Sequence, residues 1–356
     1  MPAARVVVVG GGQAGLAAGY HLRRAGLEFV VLDAQTGPGG AWRHGWDSLR
    51  LFSPARHSSL PGWPMPAAPG GGYPGTAHVV DYLTRYEQRY DLPVRRGVRV
   101  RAVRRHGSGF RVETDSGDWT AEHVISATGT WWRPFLPAVP GRAPFTGRQL
   151  HAADYRDPRE FRGQRVVVVG GGNSGAQIAA DLASTTRLTW VTRRPPRFLP
   201  DDVDGRVLFD VATRRRATAG TADDDGGIAA LGDVVVLPPV RAARDAGLLT
   251  AHPMFHRLGE HGPVWADGTA QRADAVIWCT GFRPALGHLA PLRLRAGDGT
   301  VRTAGTRALA EPRLHLLGYG DWTGPASATL IGVGRTARTA VREIAAHAGA
   351  VTGANR

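Results

Sequence analysis

The chain contains no lysine, so all 44 of its basic residues are arginines. Against 30 acidic residues they give a formal net charge of +14 at pH 7. The arginines are scattered along the chain with few dense clusters, which argues against a surface designed to bind nucleic acid. We therefore expect no nucleic-acid partner, although a basic surface still attracts anionic cofactors by long-range steering.

Cysteine is nearly absent, because Cys279 is the only one in 356 residues. A redox dithiol, a cysteine-ligated iron–sulfur cluster and a Cys₄ zinc site each need more than one thiol, and we predict no metal site. Long apolar runs are also absent, since none approaches the length of a membrane span. The first strand-like run begins within a few residues of the N-terminus, so we expect no signal peptide, no membrane partner and a cytoplasmic protein.

What the sequence does contain is one stretch that occurs twice. Residues 5–15 read RVVVVGGGQAG, and residues 165–175 read RVVVVGGGNSG. In each copy a β-branched run leads into G-x-G-x-x-G and then into an Ala-rich helical stretch, which is the context of a dinucleotide-binding turn. We predict that the two turns hold two pyrophosphates. The predicted contacts are Gly10, Gly12, Gln13, Ala14 and Gly15 in the first turn, and Gly170, Gly172, Asn173, Ser174 and Gly175 in the second.

The two copies differ at the residue that follows the next predicted strand. Asp33 lies 18 positions after Gly15, and Arg193, followed by Arg194, lies 18 positions after Gly175. An acid there accepts hydrogen bonds from free ribose hydroxyls, whereas arginine pairs with a 2′-phosphate. We therefore expect FAD in the first site and NADPH in the second, with NADH as a weaker option. The alternative is that these are surface arginines in an arginine-rich chain.

Each copy is followed by a hairpin signal, at 116–118 and at 267–268, and by a strand that ends in Thr-Gly, at Thr128-Gly129 and at Thr280-Gly281. We predict that these two Thr-Gly pairs also contact the cofactors. The duplication therefore extends beyond the glycine turn. It predicts an α/β protein with two Rossmann-like dinucleotide-binding domains, the second inserted in the first. The predicted FAD-binding domain comprises residues 1–156 and 282–356, and the NAD(P)H-binding domain comprises residues 157–281.

Three motifs together resemble the flavin-containing monooxygenases, in particular their compact bacterial branch. The linker at 145–155 fits the family pattern F-x-G-x-x-x-H-x-x-x-(Y/F), with Phe145, Gly147, His151 and Tyr155 in place. The Gly39-Gly40-Ala-Trp42 motif and the pair Asn173-Ser174 also match. The related Baeyer–Villiger enzymes usually carry Trp where this chain has Tyr155, so the resemblance favours oxidation of heteroatoms.

The resemblance implies roles for several further residues. It places Gly40, Trp42 and Asp321 at FAD, and it places His151 and Tyr155 between the domains, although a lone histidine there could equally be a packed structural residue. Larger family members have an asparagine near the reactive edge of the flavin. This chain has Arg50-Leu-Phe52-Ser53 instead, so we expect Phe52 or Ser53 to face the isoalloxazine in a less polar pocket.

The activity implied by the resemblance is oxygen transfer. NAD(P)H would reduce FAD, O₂ would form a C4a-hydroperoxyflavin, and one oxygen atom would pass to a soft nucleophile such as a sulfide or an amine, with small ketones as a further option. Two alternatives stay open: a reductase or oxidase without oxygen transfer, and a non-catalytic redox sensor. We expect a small-molecule substrate, O₂ and a homodimeric assembly, and the physiological substrate is left open.

Overall fold

The computed structural model describes residues 1–205, 207 and 234–353, with 348–353 described by backbone alone. The chain divides into two compact units. The first comprises Met1–Arg43, Pro54–Arg133 and Pro284–Arg356, and the second comprises His44–Ser53 and Pro134–Arg283. Because the first unit both precedes and follows most of the second, the predicted insertion of one domain in the other is confirmed.

A parallel sheet forms the centre of the first unit. Its five parallel strands have the order β3-β2-β1-β6-β16. Buried valines of β1 pair with strands on both sides, as at Val7, which lies between Val30 and Val124. Such continuous β-branched runs suit a strand that is covered on both faces. The five strands are β1 (Ala3–Val9), β2 (Phe29–Asp33), β3 (Val94–Arg96), β6 (Trp119–Ser126) and β16 (Glu311–Leu316).

Antiparallel strands extend this sheet. The hairpin of β4 (Val100–His106) and β5 (Gly109–Thr114) joins it where β5 pairs with β6. At the far edge, β14 (Thr303–Ala304) and β15 (Arg307–Ala308) add to β16. The predicted turn at 116–118 lies in the connection between β5 and β6, as the hairpin signal indicated.

Three helices cover the first unit: α1 (Gln13–Arg24), α2 (Thr76–Arg89) and α5 (Leu330–Gly353). Helix α1 follows directly on the first glycine turn, and it packs against α5. Side chains such as Leu16 and Val333 are fully buried. Each aliphatic side chain of this size contributes about 1.5–3 kcal/mol through burial. Short 3₁₀ helices lie at Gly40–His44, Ala55–His57, Gly287–Leu292 and Asp321–Thr323.

The second unit repeats the plan with a wholly parallel five-stranded sheet of order β10-β9-β8-β13-β7. Helix α3 (Asn173–Leu182) follows the second glycine turn, and α4 (Pro238–Asp245) packs beside it. A separate hairpin consists of β11 (Arg257–Gly259) and β12 (Gly262–Val264). The sheet strands are β7 (Arg148–His151), β8 (Arg165–Val169), β9 (Arg187–Thr192), β10 (Ala251–Pro253) and β13 (Ala275–Trp278). Two Rossmann-like folds are thus present, and the predicted fold class is confirmed.

The boundaries between the units differ from those drawn on the sequence. Residues 134–156, assigned there to the first domain, cluster with the second unit. The physical reason is the edge strand β7, which pairs with β13 in the register His151↔Trp278. Residues 44–53 cluster with the second unit as well, although the chain on either side of them belongs to the first.

None of the described helices is long and apolar enough to cross a lipid bilayer.

Candidate functional site

The first glycine turn is fixed by steric necessity. Gly10 has φ +104°, and a Cβ there would lie 2.6 Å from the carbonyl oxygen of Ala127. A Cβ at Gly15 would lie 1.9 Å from the carbonyl oxygen of Gly10. The tight turn from strand β1 into helix α1 therefore requires glycine at both positions. The first N–H groups of α1 have no partner within the helix, so they are available to bind an anion.

The second turn reproduces these contacts in the second unit. Gly170 has φ +139°, and a Cβ there would lie 2.3 Å from the carbonyl oxygen of Cys279. A Cβ at Gly175 would lie 2.1 Å from the carbonyl oxygen of Gly170. A Cβ at Gly172, by contrast, would meet no heavy atom within 4 Å. Open space therefore stands at the N-terminus of α3, where a pyrophosphate needs it.

Four predicted FAD contacts meet at the start of α1. The indole Nε1 of Trp42 donates to Oε1 of Gln13 across 2.9 Å, and Nε2 of Gln13 donates to the carbonyl of Ala328 across 2.7 Å. Gly40 lies directly against Gly12, because a Cβ at Gly40 would come within 2.8 Å of the Gly12 Cα. Ala14 is buried in the first turn of the helix. The predicted residues Gly12, Gln13, Gly40 and Trp42 are thus brought together.

Asp33 lies at the end of β2 as expected, and it is buried with an ion-pair partner that the sequence reasoning missed. Arg96 of β3 contacts the carboxylates of both Asp33 and Glu87. Burial raises the pKa of Glu87, and the guanidinium of Arg96 opposes that rise. The only signal in the sequence was that Arg96 ends a short strand. The carboxylate of Asp33 is therefore paired with a cation of the protein itself.

A buried polar network surrounds the first Thr-Gly strand end. The Tyr319 hydroxyl lies 2.7 Å from Oγ1 of Thr128 and 2.5 Å from Oγ of Ser126. Ser126 also bonds Nε2 of His288 across 2.9 Å. Burial lowers the pKa of His288 to about 4, so this histidine is neutral at pH 7. Of the network, only Thr128 was predicted. Ser126 lies two residues before it on β6, whereas Tyr319 and His288 come from distant parts of the chain.

Asp321 begins a short turn that ends at Ala328, whose carbonyl accepts a hydrogen bond from Gln13. Its Oδ1 accepts from the backbone N–H of Ala326 across 3.3 Å, and Oγ of Ser327 donates to the carbonyl of Gly320 across 2.6 Å. The carbonyl of Ala328 then accepts the Gln13 hydrogen bond. The turn that carries Asp321 is therefore tied to the N-terminus of α1 within the first unit.

A cavity of about 620 Å³ lies in the second unit beside the second glycine turn. Gly170 and Gly171 form part of its wall, together with Arg193 and Thr280. Its apolar lining includes the segment from Pro137 to Pro140. Of the predicted nucleotide contacts, Gly170, Arg193 and Thr280 line this cavity, whereas Arg194 is not among its lining residues.

The two arginines after β9 are exposed. Within the described parts of the chain, neither Arg193 nor Arg194 has a hydrogen-bond or ion-pair partner. The first residue of α3, Asn173, has a different partner from its counterpart Gln13 in α1. Its Oδ1 accepts a hydrogen bond from the backbone N–H of Val235 across 2.8 Å. Ser174 follows Asn173 in the first turn of the helix.

His151 uses both of its ring nitrogens inside the second unit. Its Nδ1 accepts from the backbone N–H of Ala153 across 3.1 Å, so Nε2 carries the proton and donates to the carbonyl of Gly281 across 3.0 Å. Burial lowers the pKa of His151. Thr280, next to Gly281, donates from Oγ1 to the carbonyl of Phe135 across 2.5 Å. A neutral His151 thus supports the second Thr-Gly strand end.

Tyr155 is completely buried and stacks on Phe161 at a centroid distance of 5.9 Å. Its hydroxyl donates to Oδ2 of Asp181 on α3 across 3.4 Å, and Ser48 donates to the same oxygen. Burial raises the pKa of Asp181, and also that of Tyr155. Asp181 and Ser48 were not predicted, because only the folded chain brings them to the linker.

Phe52 and Ser53 lie at the end of the segment held by the second unit. The carbonyl of Phe52 accepts from the backbone N–H of Gly205 across 2.6 Å. A Cβ at Gly205 would lie within 2.9 Å of both residues, so only glycine fits against them. The backbone N–H of Arg50 donates to Oε1 of Gln177 on α3 across 3.2 Å. The segment is thus anchored at several points along its length.

These features define a protein with two dinucleotide-binding turns, and the chain is similar to known proteins of that kind. The sequence profile of the pyridine nucleotide-disulphide oxidoreductase family matches residues 7–217. The chain therefore belongs to that family, although a single cysteine cannot form a dithiol. An uncharacterized CzcO-like oxidoreductase of Geobacillus kaustophilus is 30% identical over 279 residues, which cover 78% of this chain and 80% of the relative.

Two comparisons narrow the assignment. The solved flavin-containing monooxygenase of Stenotrophomonas maltophilia is 52% identical with a TM-score of 0.90, and the match covers 98% of this chain and 100% of that one. The probable indole-3-pyruvate monooxygenase YUCCA9 of Arabidopsis thaliana is 33% identical over 58% of this chain and 51% of the relative. The chain belongs to the flavin-containing monooxygenases. It is an NADPH-dependent flavoprotein monooxygenase with FAD as its flavin.

Proposed function

We propose that this monooxygenase oxidises soft nucleophiles, sulfides first and amines second, with FAD bound by the first unit and NADPH by the second. The observation that carries the assignment of the two cofactors is the contrast between Asp33 and Arg193. They occupy equivalent positions after two sterically equivalent glycine turns. One presents a carboxylate for ribose hydroxyls, and the other presents a guanidinium for a 2′-phosphate.

The residues of the first unit fit FAD. Helix α1 presents its N-terminus beside the close contact of Gly12 with Gly40, which leaves backbone N–H groups for the pyrophosphate. The hydrogen bond from Trp42 to Gln13 stabilises the N-terminus of α1. In our proposal Asp321 binds the ribityl chain, since its turn is tied to the same helix end.

The residues of the second unit fit NADPH. The open space at Gly172 accommodates the pyrophosphate, and the neighbouring cavity takes the adenosine half. Thr280 and Gly281 follow the carboxyl end of β13, and we place them against the nucleotide because ligands bind outside the carboxyl ends of strands in this type of fold. His151 then acts as a positioning residue for Gly281, because both of its ring nitrogens are already bonded.

FAD, when bound, would supply the redox chemistry: electrons from NADPH would activate O₂, one oxygen atom of which goes to the substrate and the other to water. The chain binds and orients the cofactors and excludes water, and no side-chain acid–base pair is required. The phenol of Tyr155 stays protonated because burial raises its pKa. We place Phe52 and Ser53 at the flavin, where an apolar ring would limit water access.

Oxygen transfer is tested with purified enzyme, NADPH, isotopically labelled O₂ and methyl phenyl sulfide. We expect labelled sulfoxide in proportion to the NADPH consumed. Hydrogen peroxide with no labelled product would identify an oxidase instead, and reduction of an added acceptor without use of O₂ would identify a reductase. Parallel reactions with a tertiary amine and a cyclic ketone rank the three substrate classes.

The assembly and the location of the protein remain predictions made from the sequence. We propose a homodimer in the cytoplasm. Light scattering of the purified protein measures the oligomeric state, and a monomeric mass would contradict the homodimer. Fractionation of the source cells tests the cytoplasmic location.

A further inference from the structure

The lining of the cavity in the second unit includes two residues whose nitrogen-bearing side chains can donate hydrogen bonds to an anion. These residues are Arg193 and His256. No aspartate or glutamate belongs to its described lining. A cavity with two nitrogen-bearing side chains and no acid suits a group that carries more than one negative charge.

The sheet register brings these two side chains to the same edge. Strands β9 and β10 are parallel neighbours, and their last residues pair as Thr192↔Pro253. Arg193 is the residue after the first strand end, and His256 is the third residue after the second. Both therefore emerge at the carboxyl ends of adjacent strands, which is where ligands bind in sheets of this type.

The loop that carries His256 is firmly held. The backbone N–H of His256 donates to the carbonyl of Val264 across 3.0 Å. The preceding Phe255 is buried and makes edge contacts with Trp278 and Trp265, at centroid distances of 6.1 and 6.4 Å. The exposed imidazole of His256 is thus presented from a fixed backbone. In the portion of the chain that the structure describes, its ring has no hydrogen-bond or ion-pair partner.

We propose that His256 is a second recognition group for the 2′-phosphate of NADPH and acts together with Arg193. This inference rests on the proposed binding of NADPH by the second unit. Arg193 offers a planar fork of N–H donors to two phosphate oxygens, and the ring N–H of His256 donates to the third. NADH lacks the phosphate, so His256 discriminates between the two nucleotides without contacting their shared parts.

Isothermal titration of the FAD-loaded enzyme with adenosine 2′,5′-bisphosphate and with 5′-AMP tests the proposal. For His256→Ala we expect affinity for the bisphosphate to fall about tenfold or more, which is the effect of losing one hydrogen bond to a charged group. Affinity for 5′-AMP should not change. His256→Gln, which retains an N–H donor, should bind the bisphosphate with intermediate affinity.

The matched control is His252→Ala, because His252 is exposed on β10 and is not among the cavity-lining residues. This variant should bind both probes as the wild type does. The proposal is overturned if His256→Ala binds the bisphosphate at wild-type affinity, or if it loses both probes equally.

The same titration separates this inference from the proposed function. A wild-type enzyme that prefers the bisphosphate, combined with an unaffected His256→Ala, overturns the role of His256 and leaves the NADPH site standing. A wild-type enzyme that binds both probes equally overturns the 2′-phosphate site itself, and His256 with it. Labelled sulfoxide formation reports on oxygen transfer independently of either result.

Discussion

The hydroxyl of Tyr155 lies 3.4 Å from Oδ2 of Asp181, the same carboxylate oxygen that accepts a hydrogen bond from Ser48. Tyr155 closes the linker motif, Asp181 belongs to the helix after the second glycine turn, and Ser48 belongs to the segment that leads to Phe52 and Ser53. One half-buried oxygen atom therefore links three stretches that are far apart in the sequence.

Removing this carboxylate should loosen the segment at 44–53. We expect Asp181→Ala to lower the free energy of unfolding by about 1–3 kcal/mol, because the hydroxyls of half-buried Ser48 and buried Tyr155 lose their acceptor. Limited proteolysis should then cut within 44–53 sooner than in the wild type. Urea denaturation and mass mapping of the fragments measure the two effects.

Asp245→Ala is the control for Asp181→Ala, because Asp245 is an exposed carboxylate at the end of α4 that pairs with Arg244. It should change neither measurement appreciably. Wild-type stability and cleavage in Asp181→Ala would show that the shared oxygen does not anchor the segment.

The first and second glycines of the second G-x-G-x-x-G turn, Gly170 and Gly172, should respond differently to substitution by alanine. Gly172→Ala fills open space, so the variant should fold with an unchanged melting temperature while its KM for NADPH rises. Gly170→Ala requires a side chain at φ +139° and 2.3 Å from a carbonyl oxygen, so it should be destabilised. Thermal unfolding and steady-state kinetics separate the two. Equal melting temperatures for both variants would refute the steric argument.

Arg96→Gln should destabilise the first unit strongly. The substitution leaves the carboxylates of Asp33 and Glu87 without their shared cation, and breaking a buried ion pair from one side typically costs about 3–5 kcal/mol. Urea denaturation of the FAD-free protein measures the effect without a contribution from cofactor binding. Arg23→Gln is the control, because it removes an exposed pair with Asp91 that is worth at most about 1 kcal/mol. Similar losses in the two variants would contradict the prediction.

Arg193→Ala should raise KM for NADPH by about tenfold or more and leave KM for NADH nearly unchanged. The reason is that Arg193 lines the cavity, where its guanidinium would bind the phosphate that only NADPH carries. Steady-state NAD(P)H oxidation in the presence of sulfide measures both constants. Arg194→Ala, whose side chain is not part of the cavity wall, should have a smaller effect. Equal changes for both nucleotides in Arg193→Ala would remove the 2′-phosphate assignment.

The sequence was informative where local sterics dictate the residue. A turn that passes from strand to helix without room for a Cβ must use glycine at fixed spacing, so Gly10, Gly15, Gly170 and Gly175 reveal both nucleotide folds. Asp33 and Arg193 are then found by counting 18 positions from the last glycine of each turn, to the end of the strand that follows. These inferences need only short stretches of chain, and the overall architecture followed from their repetition.

The partners of the predicted residues could not be obtained in this way. Arg96 reaches Asp33 only because β3 pairs with β2, and Tyr319 reaches Thr128 only because β16 lies beside β6. His256 depends on the register of β10, a strand of three residues. Pairing between distant strands has no local signature, so such residues look like ordinary surface or core positions in the sequence.

Three buried histidines should make stability depend on pH below neutrality. Burial lowers the pKa of His123 and His288 to about 4 and that of His315 to about 3, from 6.5 in an unfolded chain. The unfolded chain therefore takes up protons first as the pH falls through 6.5. The stability contribution of each histidine is complete above pH 6.5 and is lost progressively toward pH 4, at up to about 1.4 kcal/mol per pH unit.

His315→Asn isolates one of these contributions, because asparagine can still bond the Thr306 hydroxyl that lies 3.0 Å from Nδ1 of His315. Urea denaturation from pH 7.5 to pH 5 should show a shallower fall in the free energy of unfolding for this variant than for the wild type. His261→Asn, at an exposed position on the β11–β12 hairpin, should follow the wild-type curve. A His315→Asn curve parallel to the wild type would mean that His315 titrates no differently in the folded and unfolded chain.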